Sequence, residues 1–305
     1  MKTTLKLGGI ILGLTAAVTL MLLAFLSPQM HSGPYDIPIA VSAPDAVVSQ
    51  LDEKFEVTTY DDPSDARNAV LSRDAVGAVT VAADGATVYT ASGAGTPYTQ
   101  VLTGVAEGMD ATVEDVAPTT QDDPSAGGLS ALALPLAFGG MVSAAVLSLT
   151  MKKRYGLRIV GSMVFSLAAG LAVGAILQFG FGTFDGNYWE TAGVLALGIA
   201  GTSLFVLGLE ALIGAPGLGI GAVLTLFVSN PLSGIATGWQ WLPSPWGAIG
   251  QYLPIGAAGN ATRSVAFFDG AGIAHSVWVL LAWVAIGCAL VGAAALKNRR
   301  TVTPA

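Results

Sequence analysis

Six apolar stretches, each nearly free of ionisable residues, run along this chain, and one polar block separates the first from the second. An apolar run of about 20 residues makes a helix long enough to cross a bilayer. The runs fall at residues 7–26, 129–151, 159–181, 189–213, 216–228 and 273–296. They predict a polytopic α-helical membrane protein with six transmembrane helices and an α/β extracytoplasmic domain between helices 1 and 2. The divisions are 1–27 for the first helix, 28–128 for the outer domain and 129–305 for a five-helix transmembrane domain. The first run exceeds the apolar core of about 7–15 residues of a signal peptide and leads into Ser27-Pro28-Gln29-Met30 without an Ala-x-Ala site, so it reads as a retained helix.

Inside the polar block the hydrophobic period switches between two and that of a helix. Residues 37–42 are β-branched and apolar, and predict a strand. Phe55, Val57 and Thr59 alternate with Glu56, Thr58 and Tyr60, a second strand. Residues 76–81 and 87–90 flank Ala83-Asp84-Gly85, a hairpin signal, and 112–116 is a last strand. Helices are expected at 45–54, 64–73 and 97–109. This alternation predicts helices layered on a sheet. Residues 122–128, Asp-Asp-Pro-Ser-Ala-Gly-Gly, read as a hinge-like linker.

The stretch 229–272 is too polar for one span and too apolar for a free loop. It holds Pro231, Pro243, Pro245 and Pro254 with Trp239, Trp241 and Trp246. Proline stops helices and tryptophan favours the membrane interface. A broken, partly re-entrant segment capping the outer side is expected.

Charge then orients the chain. Residues 28–128 hold 16 of the 20 acids against Lys54, Arg67 and Arg73, so nucleic acid is an unsuitable partner. Nine of the 13 bases, Lys2, Lys6, Lys152, Lys153, Arg154, Arg158, Lys297, Arg299 and Arg300, fall on one side if both termini are cytoplasmic.

Reactive chemistry is sparse. No lysine follows a phosphate-cradling glycine loop, and no Gly-x-Ser-x-Gly elbow occurs. No catalytic residue, cofactor or metal is implied, and the chain does not read as an enzyme. Cys288 has no partner for a disulfide, and His31 and His275 are far apart in sequence. Asp61, Asp62 and Asp65 suit a helix N-cap in a solvated turn better than a cation site. Two small-residue stripes, Ser166/Gly170/Gly174 and Gly217/Gly221, suit close helix packing within the bundle or a seam between two copies. Arg263 and Asp269 are expected near the outer surface, paired with each other or with lipid headgroups. The candidates for an outer gate or route are Gln178, Asn230, Pro231, Pro254, Arg263 and Asp269. Those for a cytoplasmic partner surface are Lys152, Lys153, Arg154, Arg158 and Glu210.

The order of parts resembles the ABC type-2 membrane permeases, and more closely their YhgE/Pip-like branch. The resemblance rests on Ile37-Pro38-Ile39-Ala40-Val41, Phe55-Glu56-Val57 with Tyr60-Asp61-Asp62 and Ala66, Val76-Gly77-Ala78-Val79, Ser229-Asn230-Pro231-Leu232-Ser233-Gly234, Leu253-Pro254-Ile255-Gly256-Ala257, Arg263, and Phe267-Phe268-Asp269-Gly270. It implies a bacterial plasma-membrane permease subunit that forms a homodimer and exports a compound with an ATP-binding subunit supplied in trans. Many such permeases carry an acidic helical stretch between the second and third helices. Here the loop is Lys152-Lys153-Arg154-Tyr155-Gly156-Leu157-Arg158, and it is basic.

A Gly-rich bundle without central charges suits an apolar or amphipathic cargo rather than an ion. The alternative is a non-transporting scaffold or receptor whose outer domain binds a wall, protein or phage partner.

Overall fold

The computed structural model describes residues 2–34, 36–83 and 85–300. Asp84, the tip of the expected hairpin, lies outside them.

The polar block folds as a five-stranded sheet with helices packed on it. Its strands are β1 (Ile37–Ser42), β2 (Phe55–Thr59), β3 (Gly77–Ala82), β4 (Gly85–Thr90) and β5 (Thr112–Asp115), in the order β2-β1-β3-β4-β5. Only β3 and β4 pair antiparallel; the other pairs are parallel. Parallel neighbours need crossovers, supplied by α2 (Asp45–Asp52), α3 (Pro63–Leu71) and α4 (Thr96–Met109). The core is Ile39, Val41, Val70, Val79, Val88 and Leu102, sealed by Tyr98. As expected of the acidic turn, Asp62 caps α3, accepting from the backbone N–H and the hydroxyl of Ser64, both at 2.7 Å.

The remainder is helical. α1 (Lys2–Met30), α5 (Gly127–Ala131) leading into α6 (Ala133–Thr150), α7 (Tyr155–Ala175) ending in a π-helical turn (Ile176–Gly180), α8 (Tyr188–Ile213) and α12 (Ala274–Arg300) make the long elements. Five stretches, Thr4–Pro28, Gly127–Thr150, Tyr155–Gly180, Tyr188–Ile213 and Ala274–Asn298, are long and apolar enough to cross a bilayer. α8 is the hub, with 72% of its apolar window buried, whereas that of α1 is 0% buried.

Both small-residue stripes face this hub. A Cβ on Gly170 would strike the backbone of Ala192 and Ala196, and one on Gly217 the backbone of Leu209 and Glu210. The stripes are therefore filled by intrachain packing. Three buried hydroxyls tie α6, α7 and α8 together: Ser143 and Ser162 each lie 2.8 Å from Ser203.

The fifth apolar segment forms a shorter helix than the five long stretches. α9 (Ala215–Ala222) continues as π-helix (Val223–Ser229) and stops, 15 residues in all. At 1.5 Å per residue that is about 22 Å, short of a hydrocarbon core of about 30 Å. Running back along α8, it passes Glu210 at Gly217 and Val206 at Gly221. Where it ends, the Ser229 hydroxyl accepts the N–H of Ile255, at 3.0 Å, from the first turn of α11 (Pro254–Phe267). α11 then runs along the N-terminal half of the hub, with Ala258 beside Gly198 and Val265 beside Gly186, just before α8 begins. The two helices, α9 with its π-helical end and α11, thus meet near Ser229 and Ile255. The 24 residues between them leave the bundle and return through α10 (Trp246–Gly250).

The linker 122–128 is not a hinge. Asp123 accepts from the N–H groups of Gly127, at 2.7 Å, and Gly128, at 2.8 Å, and from the Thr183 hydroxyl, at 3.0 Å. A side chain on Gly128 would collide with Thr183. The sheet domain is therefore fastened to the loop between α7 and α8.

Candidate functional site

The sheet domain meets the helices through three polar side chains, two buried and one half-buried, and a cavity of about 310 Å³ opens among them. The first is Arg73, just beyond α3. Its backbone is left-handed, φ 68°, at a helix end where glycine is the usual occupant. An arginine held there at conformational cost points to a use for its side chain. The guanidinium donates to the carbonyl of Asn260, at 3.2 Å, to Asn260 Oδ1, at 2.6 Å, and to the Ser264 hydroxyl, all on α11. It also lies over the Phe268 ring at 5.1 Å.

The second is Arg263, on α11 and only 4% exposed. It reaches the opposite way, donating to the carbonyls of Gly93 and Ala94 in the sheet domain and to that of Ile235, at 2.8 Å. The third is Tyr98 on α4. Its hydroxyl donates to Gln240 Oε1, at 3.1 Å, and accepts from the N–H of Trp241, at 3.0 Å. Gly238, at φ 93°, lets the loop pass this ring, and a Cβ there would meet the Tyr98 hydroxyl.

Electrostatically the junction is unusual. Among the described residues no carboxylate pairs with either arginine, and every acceptor they use is neutral. Burial, and then the neighbouring Arg263, lower the Arg73 pKa to about 9. The junction thus holds one buried and one half-buried arginine with no paired carboxylate among the described residues. Burial also raises the Tyr98 pKa well above its usual range, so the phenol stays neutral. Gln251 adds an acceptor: its Nε2 donates to the Ser233 carbonyl at 3.1 Å, while its buried Oε1 has no partner. Tyr252 and His275, edge to face at 4.9 Å, complete the wall with Trp239.

Of the residues singled out for an outer route, only Arg263 lines this cavity. It is buried against carbonyls, not paired with the exposed Asp269 or turned to a surface. Pro254 opens α11 at the break. The Asn230 carbonyl accepts from the Ser233 hydroxyl, turning the chain where the first half-helix ends. Pro231 walls a second, more apolar cavity of about 530 Å³ with Leu23, Phe227 and Trp246. Gln178 is elsewhere, donating to the Gly186 carbonyl at 2.8 Å.

At the opposite end, Lys152, Lys153 and Arg154 are exposed, but Arg158 is buried and bonded to Glu210. Those two pair with each other within the fold, with Glu210 partly exposed. Lys153 and Arg154 share a shallow cavity with Asn298, which brings the α6–α7 loop beside the end of α12.

Arg73, Tyr98 and Gln251 were missed by the sequence reading. A signal existed for Arg73, one of three bases in a block of 16 acids. No protein-family model, curated protein or solved structure matches the chain.

Proposed function

We propose that this chain is the membrane subunit of an ABC-type exporter, moving an apolar or amphipathic compound with a separate ATPase. In this reading it is a multi-pass bacterial plasma-membrane protein with both termini and residues 152–158 in the cytoplasm. The sheet domain is outside. The broken helix counts as the sixth passage, and α1 and the outward face of α7 (Val160, Val164 and Leu167, all exposed) meet lipid or a second copy.

The observation that carries the reading is the end-to-end contact of Ser229 with Ile255. Within a bilayer, non-helical backbone is tolerated only where protein or a water-filled cavity satisfies it. Membrane transporters place such broken helices at their binding sites. An anchor has no use for one. The basic end, where Lys153 and Arg154 lie beside Asn298, is the face available to the ATPase. A receptor on a tether is the weaker reading, because Arg73, Arg263 and Tyr98 fasten the sheet domain to the helices.

The test is co-purification of the full chain in gentle detergent, with mass spectrometry of what accompanies it. A stoichiometric ATPase, lost when Lys152, Lys153 and Arg154 are all changed to Gln, is expected. Recovery of surface-exposed partners alone, without an ATPase, would reject the exporter in favour of a scaffold.

A further inference from the structure

The junction cavity combines features that structural stapling alone does not require. A guanidinium offers five N–H donors in a rigid fork. Arg73 and Arg263 each use three in the hydrogen bonds described above, which leaves two on each. The buried Arg263 and the half-buried Arg73, without a carboxylate among the described residues, are electrostatically incomplete, since buried charges are ordinarily paired. The unpartnered Gln251 Oε1 sits in the same wall and calls for a donor. The volume of about 310 Å³ is at the small end of ligand sites, which run from about 300 Å³. Aromatic side chains, Trp239 and Tyr252, are part of the remaining lining.

We infer that this cavity binds a phosphoryl group carrying a neighbouring hydroxyl, with Arg73 and Arg263 holding the phosphate oxygens and Gln251 Oε1 accepting the hydroxyl. Arginine forks suit phosphate because two parallel N–H donors match two of its oxygens. The same chemistry is offered by a soluble phosphate ester and by the headgroup of an anionic phospholipid. Bound phosphate would also complete the joint between the sheet domain and α11, because the two arginines come one from each. The inference names the ligand class of the site within the exporter reading, and rests on that reading only for its place in transport. Binding needs no ATPase, so a failure to bind and a failure to couple are separate results.

The experiment uses the purified full chain. In detergent, its unfolding temperature is followed against inorganic phosphate, glycerol 3-phosphate and glycerol. In nanodiscs, native mass spectrometry counts retained phosphatidylglycerol against phosphatidylcholine. Three variants accompany it: Arg73→Lys, Arg263→Lys and Ala248→Trp. Ala248 is exposed at the cavity wall, so a bulky side chain there obstructs the site without removing a hydrogen bond.

Glycerol 3-phosphate is expected to raise the unfolding temperature saturably, and glycerol to leave it unchanged. Each lysine variant should weaken binding about tenfold, the loss of one charge-assisted bond, and Ala248→Trp should abolish it while the free protein melts as before. Selective retention of phosphatidylglycerol, absent in Ala248→Trp, would assign the site to a lipid headgroup; response to the soluble ester alone would assign it to a solute. No saturable response to any phosphate probe, or an equal response in Ala248→Trp, would overturn the inference.

Discussion

Arg158 donates to Glu210 at 2.7 Å and joins the first turn of α7 to the last turn of α8. The pair is sheltered, with side chains 5% and 18% exposed, and Arg158 also donates to the carbonyls of Met151 and Ser148. One arginine thus closes the α6–α7 loop over the hub helix.

Removing one partner strands the other charge. Glu210→Ala is expected to cost about 3 kcal/mol, read as a lower unfolding temperature of the purified protein. Replacing both, Arg158→Met with Glu210→Met, should recover much of that loss. A Glu210→Ala protein that melts like the parent would show the pair to be an exposed contact of no structural weight.

Tyr98 should report the attachment of the sheet domain. Its hydroxyl serves Gln240 and Trp241, on the far side of the junction. Tyr98→Phe removes both bonds from a buried site and should cost about 1–2 kcal/mol. Gly238→Ala should cost more, since it adds a positive-φ penalty to a collision with the ring. Both changes should speed proteolytic cutting between the two parts, measured against a sheet domain that stays folded.

Asp123 makes the linker sensitive to acid. Burial raises its pKa, but the N–H groups of Gly128 and Gly127 and the Thr183 hydroxyl outweigh it, and the net shift is downward from 3.8. The carboxylate is therefore favoured in the folded state. Its stabilising contribution is complete above the unfolded value and disappears as pH falls through the lower folded one. Unfolding temperature measured from about pH 5 downward should fall more steeply in the parent than in Asp123→Asn. Parallel curves would remove Asp123 from the acid response.

Much of the fold could be read from local pattern. Strand β1 falls at the predicted residues because alternation and β-branching act over a few neighbours. The Asp62 cap was legible for the same reason, its partner Ser64 being two residues away. What holds the linker was not legible in its composition. Gly128 is required by Thr183, which is 55 positions later and invisible to local composition. The fifth segment falls close to its predicted bounds, but apolar length alone does not show that its end meets Ile255 of α11.

The site was less legible. Arg263 was expected to pair with Asp269 or with lipid headgroups, whereas it bonds to carbonyls some 170 positions earlier. Arg73 finds its acceptors on Asn260 and Ser264, nearly 190 positions later. Gln251 became notable only because burial left one of its oxygens without a donor.

The sequence by itself determined which segments are apolar enough to leave water and which alternate as strands, because hydrophobic period and turn chemistry are properties of neighbouring residues. Only the tertiary structure decided that α9 and α11 meet at Ser229 and Ile255 and that two arginines line one cavity with no carboxylate paired to them among the described residues. Long-range packing fixes which buried polar groups find partners, and no local pattern carries that information.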